Sequence, residues 1–267
     1  MATGSTRVFA VLGDPVAHSL SPAMHEAAFR TLGLDARYVA LRCDARDLAA
    51  VMRTLVRQGG GGNVTVPHKA SAAAVLERPS ALVRTLEACN TFWGDGQGIA
   101  GDNTDVVGVR RAMERLAPED GPWLVLGTGG SAPAVVAAAR EAGVALAVRS
   151  RDTARAQLFA SWARRHGVPP AAPEECVACI NATPLGLAAA DPLPVAPDEL
   201  RTARVALDLV YAAGGTRWVR ACRLAGLRAA DGREVLVEQG AAALERWFPG
   251  LHAPRDAMRA AVHARLG

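Results

Sequence analysis

Lys69 is the only lysine in the chain; every other basic residue in the Lys+Arg total of 30 is arginine. Arginine serves salt bridges and anion binding at least as well. Only a lysine pKa, however, can be brought near neutrality, so only lysine can give up and recover a proton. One lysine kept in such a composition points to a site that needs a labile proton. Chance survival in an arginine-biased sequence is the competing reading, and the neighbours weigh against it. Lys69 closes the run Gly62-Asn63-Val64-Thr65-Val66-Pro67-His68-Lys69. Asn63 and Thr65 share one face of the expected strand, since strand side chains alternate. Further polar groups arrive at Cys89-Asn90-Thr91 and at Gly101-Asp102-Asn103-Thr104-Asp105. Ser19 and Ser21 stand before Pro22 at an expected helix start, where free N–H groups suit a carboxylate. Taken singly, a turn or a cap explains each of these about as well. Together they supply amides, hydroxyls, a carboxylate and an amine, an inventory suited to a small polyhydroxylated carboxylic acid.

A second constellation begins at Gly127-Thr128-Gly129-Gly130-Ser131-Ala132, a GxGxx(G/A) turn with a strand before it and a helix after it. That context is what dinucleotide binding requires: Gly127 for the tight turn, Gly129 for close backbone approach to a pyrophosphate, and helix N–H groups for the anion. Past the next strand come Arg149-Ser150-Arg151-Asp152. Two arginines suit the 2′-phosphate of NADP, whereas an acidic residue would bind the ribose hydroxyls of NAD. Asp152 lies just beyond the strand end and has a second reading as the cap of the following helix. The cofactor expected is NADP, with NAD as the alternative.

Holding these groups takes an alternation of strands and helices. Val8–Leu12 reads as a buried strand and Ser21 as the N-cap of a helix ending at Gly33. Arg37–Arg42 reads as a strand, Asp47 as the cap of the next helix, Gly59–Gly62 as a flexible approach, and Asn63–Val66 as a strand. An amphipathic helical region follows to Leu86, then a strand over Ala88–Trp93, a hairpin turn at Gly94–Gly98 and a helix over Asp105–Leu116. Pro118–Pro122 has the composition of a domain junction. Beyond it, strands at Trp123–Leu126, Val144–Val148, Val177–Asn181 and Val205–Leu209 alternate with helices at Ala132–Gly143, Ala154–His166 and Thr216–Ala225. Helices over Glu234–Trp247 and Asp256–Leu266 close the chain. This βα alternation predicts an α/β fold with parallel sheets covered by helices.

The bulk numbers narrow the function classes. Half of the 267 residues are hydrophobic and 21% are charged, a globular composition. The net charge of +4 comes without any Lys/Arg block or aromatic–basic interleaving, so nucleic acid is not an expected partner. No apolar run reaches membrane-span length, and the first residues have no signal-peptide core. Five scattered cysteines favour reduced thiols in a cytoplasmic protein. Cys176 and Cys179 form a lone CxxC that reads as two buried strand residues, and no spacing suits a metal.

Read in order, the quoted segments resemble the shikimate dehydrogenase family over nearly the whole chain. Gly13–His25 is similar to its opening motif and Asn63–Lys69 to its catalytic motif. Asn90-Thr91, Asn103–Asp105, the Gly127 turn, Asn181–Gly186, Asp208–Tyr211 and Val237–Gln239 follow in the family's order. The resemblance implies two domains: an α/β substrate domain over 1–105 and 238–267, and a Rossmann-like NAD(P) domain over 106–237. The C-terminal helices would return to the first domain. It also implies roles. Ser19 and Ser21, with Tyr211 nearby, would hold a substrate carboxylate; Asn63, Thr65, Asn90 and Gln239 would bind ring hydroxyls; Lys69 and Asp105 would be the catalytic pair. Gly127, Gly129, Gly130, Ser131, Ala132, Arg149, Ser150, Arg151, Asp152 and Gly232 would meet the cofactor. The implied reaction is reversible, NADPH-dependent reduction of 3-dehydroshikimate to shikimate by a cytoplasmic monomer or homodimer. Ser150-Arg151-Asp152 stands where the family commonly has Asn-Arg-Thr, and an acid there resembles a branch that uses both cofactors and quinate. Quinate or an aminoshikimate as substrate, and a non-catalytic NAD(P) sensor, are the alternatives.

Overall fold

The computed structural model describes residues 6–188 and 190–266. It divides into two compact units: the chain up to Thr104 together with Val237–Arg265, and Asp105–Leu236.

In the first unit, β1 (Arg7–Gly13), α1 (Ser21–Thr31), β2 (Ala36–Arg42), α2 (Leu48–Arg57) and β3 (Gly61–Val64) make a run of strand–helix units. They are followed by α3 (Lys69–Val75), β4 (Arg78–Pro79), α4 (Ala81–Leu86), β5 (Thr91–Gly94) and β6 (Ile99–Asp102). The six strands lie in the order β2-β1-β3-β5-β6-β4. β1 pairs in parallel with β2 and β3, whereas β5 runs antiparallel to both β3 and β6. The sheet is therefore mixed, because the Gly94–Gly98 turn folds β6 back on β5 instead of crossing over through a helix.

Several local expectations change here. Gly61 and Gly62 are strand residues between β1 and β5, not a flexible approach. A Cβ on Gly62 would sit 2.1 Å from the Ala10 carbonyl oxygen, and one on Gly61 2.5 Å from that of Phe92. Glycine at these positions admits a close backbone approach. β3 ends at Val64, so Thr65 has left the strand, although its N–H still donates to the Leu12 carbonyl (2.9 Å). Leu20, not Ser21, occupies the N-cap position of α1, and the Ser19 hydroxyl accepts the Ser21 N–H (3.2 Å). Asp47 stands at the cap of α2 without a side-chain cap bond. The helical region before Leu86 is two short helices, with Ser80 capping the second through the Val83 N–H.

In the second unit, α5 (Asp105–Leu116), β7 (Trp123–Leu126), α6 (Ala132–Ala142), β8 (Leu146–Arg149) and α7 (Thr153–Arg165) precede β9 (Ala178–Asn181). Then come β10 (Val205–Asp208), α8 (Arg217–Leu224) and β11 (Arg228–Ala230). The five strands are all parallel, in the order β11-β10-β9-β7-β8. β11 escapes sequence reading because Arg228-Ala229-Ala230 has neither alternation nor a β-branched run; its pairing with β10 makes it a strand. α5 packs on α6, β10 and β11, so the division between the units falls before α5 and not at Pro118–Pro122. The five cysteines are free and buried, with Cys176, Cys179 and Cys222 in the apolar core beside Trp218 and Leu124.

Two helices end the fold, α9 (Arg233–Trp247) and α10 (Arg255–Leu266). From Val237 onward α9 belongs to the first unit. The reason is apolar: the Phe9 ring lies 4.7 Å from Trp247 and 5.5 Å from both Phe29 and Phe248. Aromatic burial of this size dominates local packing. Gly240 lets α9 approach α1, since a Cβ there would meet the Met24 methyl carbon at 2.2 Å. Arg255 then ties α10 to α9 through Glu238 (3.0 Å) and Glu245 (2.9 Å).

Candidate active site

The first unit gathers a buried polar cluster at the ends of its central strands. Asn63, at register with Thr91 across the β3–β5 pair, uses both amide hydrogens locally, on the Asn90 carbonyl (3.1 Å) and the Thr91 hydroxyl (2.9 Å). Its Oδ1 accepts the Tyr38 hydroxyl at 2.7 Å. Burial pushes the Tyr38 phenol well above its ordinary pKa, and its other side-chain contact is Ser21. It therefore stays a neutral phenol beside both Asn63 and Ser21. The Asn90 side-chain oxygen, Oδ1, accepts the Thr104 N–H (2.7 Å), the Thr104 hydroxyl (3.2 Å) and the Thr91 hydroxyl (3.0 Å). With its oxygen so occupied, the orientation of the amide is fixed, and Nδ2 points toward Gln239 Oε1 at 3.4 Å. The same contacts hold the backbone of Thr104, the residue before Asp105.

Lys69 is the first residue of α3 and only 8% exposed; its backbone carbonyl accepts the Cys89 N–H (2.9 Å), which anchors it next to Asn90 in the fold. His68 before it is also buried and its Nε2 donates to the Cys43 carbonyl (2.6 Å). That bond and the turn from the His68 N–H to the Thr65 carbonyl set the direction in which the chain enters α3. Ser19 and Thr65 are half-buried and Ser21 is buried. His25 stacks on Tyr38 with ring centroids 4.5 Å apart, and burial lowers its pKa to about 3, so it is neutral. Of the residues expected to meet a hydroxy acid, Ser19, Ser21, Asn63, Thr65, Lys69, Asn90 and Gln239 belong to this unit. Tyr211 and Asp105 belong to the other.

In the second unit the strand order reverses at β7, and there the C-terminal strand ends open into a pocket of about 480 Å³. Leu126–Gly129, Arg149–Arg151, Arg155, Ala182–Leu185 and Pro194 line it. A crevice at such a switch point is where open α/β sheets bind ligands. Gly127 has φ +97°, and a Cβ on it would lie 2.8 Å from the Thr183 methyl. A Cβ on Gly129 or Gly130 would meet nothing within 4 Å. Gly127 is thus required by the fold, whereas Gly129 leaves open room over the backbone at the pocket, the cradle a pyrophosphate needs. Three arginines at the strand-end side supply cationic donors for a phosphate monoester. The residues present therefore fit a phosphorylated dinucleotide.

The expected cofactor residues divide. Gly127, Gly129, Arg149, Ser150 and Arg151 line this pocket; Gly130, Ser131 and Ala132 continue from the turn into α6 without lining it. Asp152 caps α7, its carboxylate accepting the Arg155 N–H (3.0 Å), so the helix-cap reading describes this carboxylate. Gly232 lies outside this pocket and admits the chain against the Leu209 carbonyl, 2.4 Å from where a Cβ would be. Arg155 and Thr183 were not anticipated. Arg155 is brought to the pocket by the first turn of α7. Thr183 is oriented by Asn181, whose Oδ1 accepts the Thr183 N–H (3.0 Å) and hydroxyl (2.6 Å). Asn181 in turn donates to Asp208 (2.8 Å), its register partner on β10. Burial pushes the Asp208 carboxyl up to about 6 despite bonds from Thr216, Val210 and Asn181. The Asn181–Gly186 segment was visible in the sequence, but nothing in it singled out Thr183. Among the described residues no His/Cys/Asp/Glu group could hold a metal ion, and no helix is long and apolar enough to cross a membrane.

Residues 11–92 match the shikimate dehydrogenase substrate binding domain, and residues 232–263 the shikimate 5′-dehydrogenase C-terminal domain. Shikimate dehydrogenase (NADP(+)) of Halobacterium salinarum is 38% identical over 97% of this chain and 99% of its own length. The Thermus thermophilus enzyme of the same name is also 38% identical, over 97% of this chain and 98% of its own. A crystal structure of Thermus thermophilus shikimate 5-dehydrogenase with NADP(H) and shikimate superposes with a TM-score of 0.85 at 34% identity, covering 97% of this chain and 99% of that one. The Mycobacterium tuberculosis shikimate dehydrogenase gives 0.85 at 33% identity, with 97% and 99% covered. A 5-ketofructose reductase at 24% identity and TM-score 0.87 shares the fold. The glycine turn, the single lysine and the full-length identity converge: this chain belongs to the shikimate dehydrogenase family.

Proposed function

We propose that the chain is an NADP-dependent oxidoreductase that reversibly reduces 3-dehydroshikimate to shikimate. One observation carries the reading: relatives named shikimate dehydrogenase (NADP(+)) are 38% identical across 97% of the chain. The second unit binds the nucleotide, with Gly127 and Gly129 under the pyrophosphate and Arg149, Arg151 and Arg155 available to its 2′-phosphate. When bound, NADPH supplies the hydride. Ser19 and Ser21 hold the substrate carboxylate, with Tyr211 as a further hydroxyl donor. Asn90, Gln239 and Thr65 bind the ring hydroxyls, and Asn63 acts mainly by fixing Asn90 and Thr91, because its amide hydrogens are committed to them.

As negative charge develops on the reacting oxygen, the Lys69 ammonium stabilises it and delivers a proton. Lys69 regains its proton from solvent after turnover, and Asp105 is the acidic partner of the pair, which holds the ammonium in place and tunes its pKa. Amide groups oriented before substrate arrives favour the transition state, because no reorganisation is left to perform. The direct test follows NADPH oxidation with 3-dehydroshikimate for the wild type and Lys69→Ala. Robust wild-type turnover, lost by about two to four orders of magnitude in the variant, is the expected result. Turnover that survives the substitution removes Lys69 as the essential acid. NADPH binding without turnover removes this substrate.

A further inference from the structure

One arginine lining the pocket of the second unit is paired with an acidic group that the proposed chemistry does not use. Glu199 ends the short 3-10 turn Pro197–Glu199. Its Oε1 accepts the Ala196 N–H (3.3 Å), which fixes the carboxylate, and its Oε2 accepts from the Arg149 guanidinium at 2.6 Å. Arg149 is one of the three arginines lining the pocket. Both side chains are about half exposed, 49% for Arg149 and 45% for Glu199. The bond from Arg149 holds the Glu199 carboxyl below its usual range, so it is an anion at neutral pH.

We propose that Glu199 is a specificity-determining residue for the nucleotide: a fixed carboxylate that competes with a 2′-phosphate for Arg149 and so tempers the preference for the phosphorylated dinucleotide. The inference rests on the reading that this pocket holds NADP. Carboxylate and phosphate both seek the donor edge of a guanidinium. A nucleotide without the phosphate leaves the Arg149–Glu199 pair as it stands. A nucleotide with it must displace Glu199 or share one guanidinium between two anions, and either lowers the gain from the phosphate. The nearby carboxylate of Asp152 is committed to the Arg155 N–H as a helix cap, and among the described residues Glu199 is the one paired with a pocket arginine. An exposed, screened pair has a modest influence, so the effect is a few-fold change and not a reversal of specificity.

Calorimetric titration of the full chain with 2′,5′-ADP and with NAD+ tests this in the wild type, Glu199→Gln, Arg149→Gln and the double variant. Glutamine retains an oxygen for the Ala196 N–H, so the turn is preserved. Glu199→Gln is expected to bind 2′,5′-ADP about three- to tenfold more tightly and NAD+ unchanged. Arg149→Gln should weaken 2′,5′-ADP and abolish the gain from the second substitution. Unchanged or weaker 2′,5′-ADP binding by Glu199→Gln, or an equal gain for NAD+, overturns the proposal by showing that Glu199 steadies Arg149 or does nothing. A wild type that binds NAD+ but not 2′,5′-ADP overturns the NADP reading itself, and this inference with it.

Discussion

The polar clusters of the two units are built differently, and under the proposed function they meet different recognition problems. In the first, Asn63, Asn90, Thr91 and Thr104 satisfy one another inside the protein, and Asn90 is only 2% exposed. In the second, glycine backbone and partly exposed arginine side chains surround open space. A small hydroxy acid offers few atoms, so its discrimination depends on amides whose orientation is settled in advance. A dinucleotide offers many charged oxygens, so backbone approach and mobile cations suffice. The difference teaches where substitutions should be felt: in folding for the first cluster, in affinity for the second.

Lys69→Ala marks one extreme, since it removes the proposed acid and should cost turnover far more than anything at the nucleotide pocket. Next in size is the pH response of the second unit. Asp208 titrates near 6 in the folded protein against the usual 3.8, so burial favours its protonated form. The stability it contributes is fully present below about pH 4 and is lost as pH rises through about 6, at most about 3 kcal/mol. Denaturant unfolding at pH 4.5, 6 and 7.5 should show that component in the wild type and its absence in Asp208→Asn. Equal pH slopes for the two would place Asp208 outside this linkage.

Asn90→Ala should lower stability by about 1–3 kcal/mol, because it strands buried Thr104 and Thr91 donors. A variant with wild-type stability and only a raised KM would break the contrast between the clusters. The two turn glycines give the finest test. Gly127→Ala meets Thr183 at positive φ and should cost about 1–3 kcal/mol in unfolding free energy. Gly129→Ala, with nothing within 4 Å, should change stability by less than about 0.5 kcal/mol while weakening NADP+ binding severalfold. Tm and nucleotide Kd measured side by side separate the two.

How much of this could be read in advance follows the same line. The glycine turn, the βα alternation and the helix over Asp105–Leu116 rest on local chemistry and are legible in sequence. The Gly61–Gly62 strand is not, since its reason is the backbone of Ala10 and Phe92, brought near only by the sheet. The Tyr38–Asn63 bond joins residues 25 apart in sequence, and the Arg149–Glu199 pair residues 50 apart, so no spacing rule finds either. Lys69 is the reverse case: its type and rarity pointed to it, while its burial and its anchor to Cys89 came from the fold. Asp152 shows a residue type with two sound readings, and the Arg155 N–H within reach selects the cap.

The aromatic cluster of Phe9, Phe29, Trp247 and Phe248 has a consequence for the order of events on the ribosome. The unit containing the N-terminal strand is emitted first, yet its core lacks Trp247 and Phe248 until almost the whole chain has emerged. Asp105–Leu236 is continuous and has all its strands in hand earlier. During synthesis the later-made unit is therefore the first able to finish, and the earlier-made one waits without the partners of Phe9, a window in which exposed apolar surface favours aggregation.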